Sequence, residues 1–293
     1  MGKAAQARQQ TARERLAAQR AAERGQAAAR RRLMITGGSV AVVIALVVGF
    51  IVARVNEKQP TAAGSATDAQ ITKELASVSA AAFDAVGRGT ASGLKAISGQ
   101  PGLIENGKPV VLYIGGEFCP YCAAERWAIA TALSRFGDLS VPELIHSSPT
   151  DVYPNTPTLS FAGSTYTSKY LTFTPVEWYG EAEDPSTPMG HVYLKQPTAK
   201  EQALFNQYSG GSIPFLDIAN RYALAQGAQY DPQDLAGLTW SQVAADVRNP
   251  SSTVAKDIDG AANIITAALC EVTGGQPGNV CSSAGVRAAN QSI

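Results

Sequence analysis

Histidine and cysteine, which supply many metal and redox sites, are both scarce in this chain. Its 293 residues include two histidines, His146 and His191, and four cysteines. Neither histidine has a cysteine or an acid at the spacing of a metal site, so we predict no metal centre. The 27 glycines and 16 prolines are too few for a collagen-like or low-complexity chain. A solenoid is not expected, because no repeat of about 20–50 residues occurs.

Charge is absent from Leu33 to Ala53, a run of 21 mostly apolar residues. As an α-helix at ~1.5 Å per residue it would be about 32 Å long, enough to cross a hydrocarbon core of ~30 Å. Residues 1–32 carry nine basic residues and two glutamates. The positive excess on this side predicts a cytoplasmic tail at 1–32, a single transmembrane helix at 33–54 and an extracytoplasmic body.

A cleaved signal peptide is the alternative interpretation of this N-terminal region. Such peptides have a short charged part and an apolar core of about 7–15 residues, and both parts are longer here. We therefore favour an uncleaved anchor, followed by a linker at 55–69. The basic tail is interpreted as an orientation signal near anionic lipid, and we assign it no nucleic-acid partner.

The body, residues 70–293, alternates between strand-like and helical patterns, which predicts an α/β domain. Apolar residues at helical spacing predict one helix over 71–86. The apolar, β-branched run at 110–114 is typical of a strand buried on both faces. A helix is predicted at about 120–136, and a strand with a turn and a return at 215–224.

The sequence Cys119-Pro120-Tyr121-Cys122 follows this strand and opens the helix. Free N–H groups and the helix dipole favour a thiolate at a helix N-terminus, and the thiolate is the form that attacks disulfides. We expect Cys119 to be the exposed nucleophile and Cys122 its buried partner. Tyr121 should be exposed beside Cys119. A merely structural C-x-x-C bridge is the alternative.

The other two cysteines, Cys270 and Cys281, bracket a loop rich in glycine, proline and asparagine. Their spacing is not that of a zinc knuckle, so the four cysteines do not predict a zinc site. We predict a structural disulfide between them, worth roughly 3 kcal/mol by loop entropy. A second redox-active pair is the alternative, but no helix start supports it.

Three parts of the chain resemble the thioredoxin superfamily: the strand at 110–114, the segment Glu117–Cys122 and the later segment Ser212–Ile218. Over about 70–285 the chain also resembles a membrane-anchored, extracytoplasmic thioredoxin-like family of unassigned function. The resemblance implies a thioredoxin-like fold in which a cis Pro214 lies beside the cysteines. Thioredoxins keep a buried acid six residues before the first cysteine, whereas this chain has Tyr113 there.

This resemblance implies Cys119, Cys122 and Pro214 as catalytic residues. It also implies substrate contacts, for which the candidates are Pro120, Tyr121 and Ile213. Cys119 and Pro214 are further apart than in a minimal thioredoxin, which implies an insertion at about 149–210 between the C-x-x-C helix and the cis-proline strand.

The predicted function is a membrane-anchored thiol–disulfide oxidoreductase, an oxidase or isomerase, that acts on the thiols and disulfides of exported proteins without a cofactor. A redox recycling partner in the membrane is expected with it. The alternative is a thioredoxin-like binding or scaffold module of an envelope complex, with a structural or unused C-x-x-C. The small residues Gly37, Ala41, Ala45 and Gly49 recur every fourth position of the predicted span, and this stripe could pair two copies of the chain.

Four further side chains have two interpretations each. Glu117 and Glu125 are expected to be solvated carboxylates, with tuning of the Cys119 thiolate as the alternative. We expect Trp127 to pack under the insertion rather than to bind substrate. His191 is expected to lie in a loop with no role in the site, with a place near the site as the alternative.

Overall fold

A computed structural model of the chain describes residues 67–224 and 227–293. The predicted tail, transmembrane helix and small-residue stripe lie outside the described residues, as does most of the predicted linker. Among the residues described, no helix is both long enough and apolar enough to cross a membrane. The first helix begins at Asp68, so the end of the linker assigned to 55–69 is helical.

Eleven strands and eight α-helices occur in the described ranges. The strands are β1 (Lys95–Ala96), β2 (Ile104–Glu105), β3 (Lys108–Gly116), β4 (Gly137–Ser140), β5 (Glu143–His146), β6 (Pro157–Ser160), β7 (Thr165–Ser168), β8 (Thr172–Glu183), β9 (His191–Tyr193), β10 (Phe215–Ile218) and β11 (Tyr222–Leu224). The helices are α1 (Asp68–Ala76), α2 (Ala80–Val86), α3 (Pro120–Leu133), α4 (Ala199–Ser209), α5 (Trp240–Asp246), α6 (Thr253–Val272), α7 (Gly278–Cys281) and α8 (Ala284–Ala289). This content confirms the predicted α/β class.

The main sheet is mixed and is built around β3. Its strand order is β1-β11-β10-β3-β8-β9, and β2 forms a hairpin with β3. β8 runs parallel to β3, whereas β10 runs antiparallel on the other side. The register sets Phe215 opposite Ile114 and Glu177 opposite Gly115. The start of β10 and the middle of β8 therefore meet at the end of β3, where the chain enters α3.

Helices cover both faces of this sheet, which explains the continuous apolar run of β3. Val111 and Tyr113 belong to the core that contains α3 and α6. Leu112 and Ile114 belong to a smaller core on the other face with Phe205 of α4. Successive side chains of a strand point to opposite faces, so both faces of β3 need apolar residues.

The segment 149–210 is not a separate insertion in the sheet. It supplies β8, which pairs with β3 over seven residues of that strand. Two small two-stranded sheets, β4 with β7 and β5 with β6, come before β8 in the chain and lie outside the main sheet. The prediction of an insertion over 149–210 is therefore wrong for the residues of β8 and β9, because they complete the main sheet.

The predicted single helix over 71–86 is divided into α1 and α2. The Ser77 hydroxyl donates to the Glu74 carbonyl at the end of α1. The Ser79 hydroxyl accepts the Ala82 N–H at 3.1 Å and caps the start of α2. Serine favours such caps over helix interiors, and this local chemistry outweighs the apolar periodicity.

Candidate functional site

The C-x-x-C motif lies at the N-terminus of α3, as the sequence predicts. Cys119 is the N-cap residue, in an extended conformation, and its Sγ accepts the N–H of Cys122 at 3.4 Å. Pro120 occupies the first turn, where its missing N–H removes no helical hydrogen bond. The sulfur thus takes the place of the oxygen acceptor that usually caps a helix.

Both cysteines of the motif are free thiols, and both are buried. Cys122 has no exposed surface, as predicted, but Cys119 is only 6% exposed. The prediction of an exposed Cys119 is wrong, because Phe118 and Tyr179 pack with the two cysteines in a small apolar cluster. A helix start alone does not reveal this cover, part of which comes from Tyr179 in β8.

The two sulfurs are electrostatically unequal. A hydrogen bond from the Cys122 thiol lowers the pKa of Cys119 against the opposing effect of burial, and the Cys122 N–H and the charge of Arg126 lower it further. Burial raises the pKa of Cys122 well above its ordinary value, and the hydrogen bond to Cys119 adds to this. Cys119 is therefore the sulfur that favours the thiolate, and Cys122 the one that favours the thiol.

The peptide bond between Ile213 and Pro214 is cis, in agreement with the implication of the resemblance. Pro214 immediately precedes β10, whose first residue pairs with Ile114 of β3. Ile213 packs against the apolar cluster that contains both cysteines. The strand register therefore brings the cis-proline turn and the C-x-x-C to the same end of the sheet.

Of the candidate substrate contacts, Tyr121 is the most accessible. It is 36% exposed, and its ring meets that of Tyr153 edge-on, with 5.8 Å between the ring centroids. Ile213 is half-buried, and Pro120 is buried. Pro120 therefore does not offer the free surface that its candidate role requires, because it lies against the body of the protein at the first turn of α3.

The region of β8 and β9 brings His191 to the site. Its ring stacks on Phe118, with centroids 3.8 Å apart and planes 4° from parallel. The favoured interpretation was a loop histidine with no role in the site. The structure instead places His191 at the start of β9, stacked on the residue before Cys119. The sequence carries no signal for this contact, since 73 residues separate the two rings and only the pairing of β8 with β9 brings them together.

Trp127 packs as predicted, whereas the two glutamates depart from the expectation of solvated carboxylates. The Trp127 ring is fully buried, and its Nε1–H donates to the Pro157 carbonyl at 2.8 Å. Glu125 is also fully buried, and burial raises its pKa to about 7. Glu117 is partly buried and accepts a hydrogen bond from Ser160. α3 is buried on every side except at Tyr121, because sheet and helices enclose it.

Sequence reasoning missed a buried ion pair near the motif. The Nε and Nη2 atoms of Arg126 donate to the two carboxylate oxygens of Glu177 at 2.7 and 2.9 Å. Both side chains are almost fully buried. An arginine beside Glu125 in a mostly apolar helix was the available signal, and the sequence does not indicate that the distant Glu177 neutralises it.

The remaining cysteines, Cys270 and Cys281, form a disulfide with an S–S distance of 1.99 Å and a Cα–Cα distance of 5.5 Å. The bond joins the end of α6 to α7. Neither of its cysteines belongs to the apolar cluster around the C-x-x-C. The described part of the chain contains no group of three or more His, Cys, Asp or Glu side chains that could hold a metal ion.

Comparison with known proteins gives one match. No curated protein and no solved structure matches the chain. A family model matches residues 96–271, which include β3, the C-x-x-C helix, the cis-proline turn and most of α6. Because this match covers more than half of the sequence, the chain belongs to the family described as a domain of unknown function, DUF929.

Proposed function

We propose that this protein is a thiol–disulfide oxidoreductase with a thioredoxin-like fold, anchored in the membrane and acting on exported proteins. The observation that carries the proposal is the pair of free cysteines at the start of α3, beside the cis Ile213–Pro214 turn. A helix N-terminus stabilises a thiolate at Cys119, and a thiolate is what disulfide exchange requires.

The exchange proceeds in two steps. In the oxidising direction a substrate thiolate attacks Sγ of Cys119 in the Cys119–Cys122 disulfide, the S–S bond breaks, and Cys122 leaves as a thiolate that takes up a proton. A second substrate thiolate then attacks the substrate sulfur of the mixed disulfide and releases Cys119 as a thiolate. The substrate loses two electrons and the cysteine pair gains them.

Exposed apolar side chains near the motif support a polypeptide substrate. The described residues expose six large hydrophobic side chains: Ile104, Tyr121, Val152, Met189, Tyr193 and Leu194. Tyr121 belongs to the motif. Val152 is the neighbour of Tyr153, whose ring contacts that of Tyr121. Met189, Tyr193 and Leu194 flank His191, which stacks on Phe118. Five of the six therefore lie in segments that meet at the C-x-x-C, a distribution typical of an interaction surface.

The proposed location outside the cytoplasm has a separate support. Disulfides persist in oxidising compartments and are rare in the cytosol, and Cys270 forms a disulfide with Cys281. The proposal therefore keeps a cytoplasmic N-terminus, a single span and an extracytoplasmic domain. A membrane recycling partner and pairing through the small-residue stripe of the span remain part of the hypothesis.

A scaffold module with an unused C-x-x-C is the second candidate, and the burial of Cys119 favours it. A redox titration of the Cys119–Cys122 pair in the full-length chain distinguishes the two. The reduction potential of the pair should lie between about −100 and −250 mV in a disulfide exchanger, whereas that of an inert structural bridge lies below about −300 mV. A value below that limit, or a pair that never forms a disulfide, would exclude the oxidoreductase.

A further inference from the structure

The ion pair of Arg126 and Glu177 lies one helical turn beyond Cys122 and is shielded from solvent. Replacing a buried ion pair by apolar residues is often neutral or stabilising, because desolvation offsets the attraction between the charges. Stability alone therefore does not explain why two charges occupy the interior at this position. Their contacts lead instead to the backbone of the C-x-x-C.

Arg126 is hydrogen-bonded to the carbonyl group that also accepts the backbone N–H of Cys119. Besides its bond to Glu177, Nη2 donates to the Gly116 carbonyl at 2.7 Å. The same carbonyl accepts the N–H of Cys119 at 3.2 Å. The guanidinium thus fixes the orientation of the Gly116 carbonyl, which in turn holds the backbone N–H of Cys119.

Glu177 does not satisfy every hydrogen-bond donor of the Arg126 guanidinium. Glu177 occupies Nε and Nη2, whereas Nη1 has no hydrogen-bond partner among the described residues. The ring of Tyr113, whose hydroxyl is also buried without a partner, has its centroid 6.0 Å from the guanidinium carbon. The other titratable side chains around the C-x-x-C are Tyr113, Glu117, Glu177, Tyr179 and His191. Arg126 is the arginine among these groups.

We propose that Arg126 is a positioning residue, which orients the Gly116 peptide and stabilises the thiolates of Cys119 and Cys122 by its charge. The proposal rests on the oxidoreductase function. Cys122 is the leaving sulfur when a substrate thiolate attacks Cys119, and its burial makes that departure costly. A nearby positive charge stabilises the departing thiolate and favours the reduced pair, so the disulfide becomes a stronger oxidant.

Two variants of the full-length chain in detergent test this proposal, because they should shift the apparent pKa of Cys119 in opposite directions. Arg126→Gln/Glu177→Gln removes both charges, and the apparent pKa of Cys119, read from the pH dependence of iodoacetamide alkylation, should rise by about one unit. The equilibrium between the Cys119–Cys122 pair of this variant and glutathione should shift about tenfold toward the disulfide form. Glu177→Gln leaves the arginine without its counter-charge, so the pKa of Cys119 should fall and the equilibrium should shift the other way.

The opposite signs separate this role from a merely structural one, which would not produce them. Arg135→Gln is the matched control, because Arg135 bonds Asn263 and Thr266 on α6 and should leave both readouts unchanged. If the double variant does not fold, Glu177→Gln alone decides. Folded variants in which the apparent pKa of Cys119 stays within about 0.3 unit, and the glutathione equilibrium constant within about twofold, of the unmodified chain would overturn the proposal.

The test also distinguishes the failure of this inference from the failure of the proposed function. If the unmodified chain exchanges disulfides and the variants keep its alkylation profile, the role of Arg126 is refuted and the oxidoreductase stands. If the profiles shift with the expected signs but the unmodified chain exchanges no disulfide with a reduced, unfolded protein, the electrostatic effect stands and the proposed function is refuted.

Discussion

Replacing Glu125 by glutamine should change the pH dependence of stability. Glu125 is fully buried in α3, its Oε2 accepts the Gln229 N–H at 3.0 Å, and its Oε1 has no partner among the described residues. Burial raises its pKa from 4.5 to about 7, against the opposing hydrogen bond from Gln229. The folded state therefore binds a proton here more tightly than the unfolded state.

The size of the effect follows from the pKa difference. Each unit is worth 1.36 kcal/mol, so a rise from 4.5 to about 7 corresponds to about 3 kcal/mol. Because the folded pKa is the higher one, this contribution is fully present below about pH 4.5 and is lost as the pH rises to about 7. Glutamine imitates the protonated acid at every pH. Glu125→Gln should thus be more stable than the unmodified chain by about 3 kcal/mol at pH 8, and nearly equal to it at pH 4.5.

Urea unfolding of the full-length chain in detergent at the two pH values, followed by tryptophan fluorescence, measures this difference. Other carboxyl groups with raised pKa values, such as Asp259 at about 8, are present in both proteins and cancel in the comparison. Glu105→Gln, at an exposed position in β2, is the control and should show no pH-dependent gain. An equal difference in unfolding free energy at pH 4.5 and pH 8 would refute the reasoning.

Three further outcomes are expected. Replacing both Cys270 and Cys281 by serine should lower the free energy of unfolding by about 2–5 kcal/mol without changing Cys119 alkylation; full stability with lost exchange would make this pair redox-active. Gly116→Ala should destabilise by about 1–3 kcal/mol in the same urea assay, because its Cβ would lie 2.8 Å from the Phe118 ring; an unchanged midpoint would contradict that packing. Protease added to intact cells without their wall should digest the body and spare the tail; a protected body would contradict the proposed topology.

Local chemistry made several elements predictable from the sequence. The run at 110–114 in β3 is apolar at every position, and its side chains pack in cores on both faces of the sheet. Proline in the first turn of α3 and the short turn between β10 and β11 mark their own boundaries. In each case the signal lies within a few residues of the element that it defines.

Contacts between distant segments were not predictable in this way. The parallel pairing of β8 with β3 converts part of an expected insertion into the centre of the sheet. The same pairing places Glu177 against Arg126 and buries Cys119 beneath Tyr179. Periodicity in a single sequence shows which face of an element is apolar but does not identify the segment that covers it.

The trapping of mixed disulfides tests the central claim most directly. In a Cys122→Ala variant of the full-length chain, the Cys119 thiolate attacks a disulfide of an exported protein and displaces one of its sulfurs as a thiolate. No Cys122 thiol is left to resolve this mixed disulfide, so exported proteins attached through Cys119 should accumulate in cells. They should appear on non-reducing gels and disappear on reduction. A matched Cys119→Ala variant should trap far less, because Cys122 is the more deeply buried sulfur. Equal trapping by the two variants would contradict the assignment of Cys119, and no trapping by either would contradict an oxidoreductase.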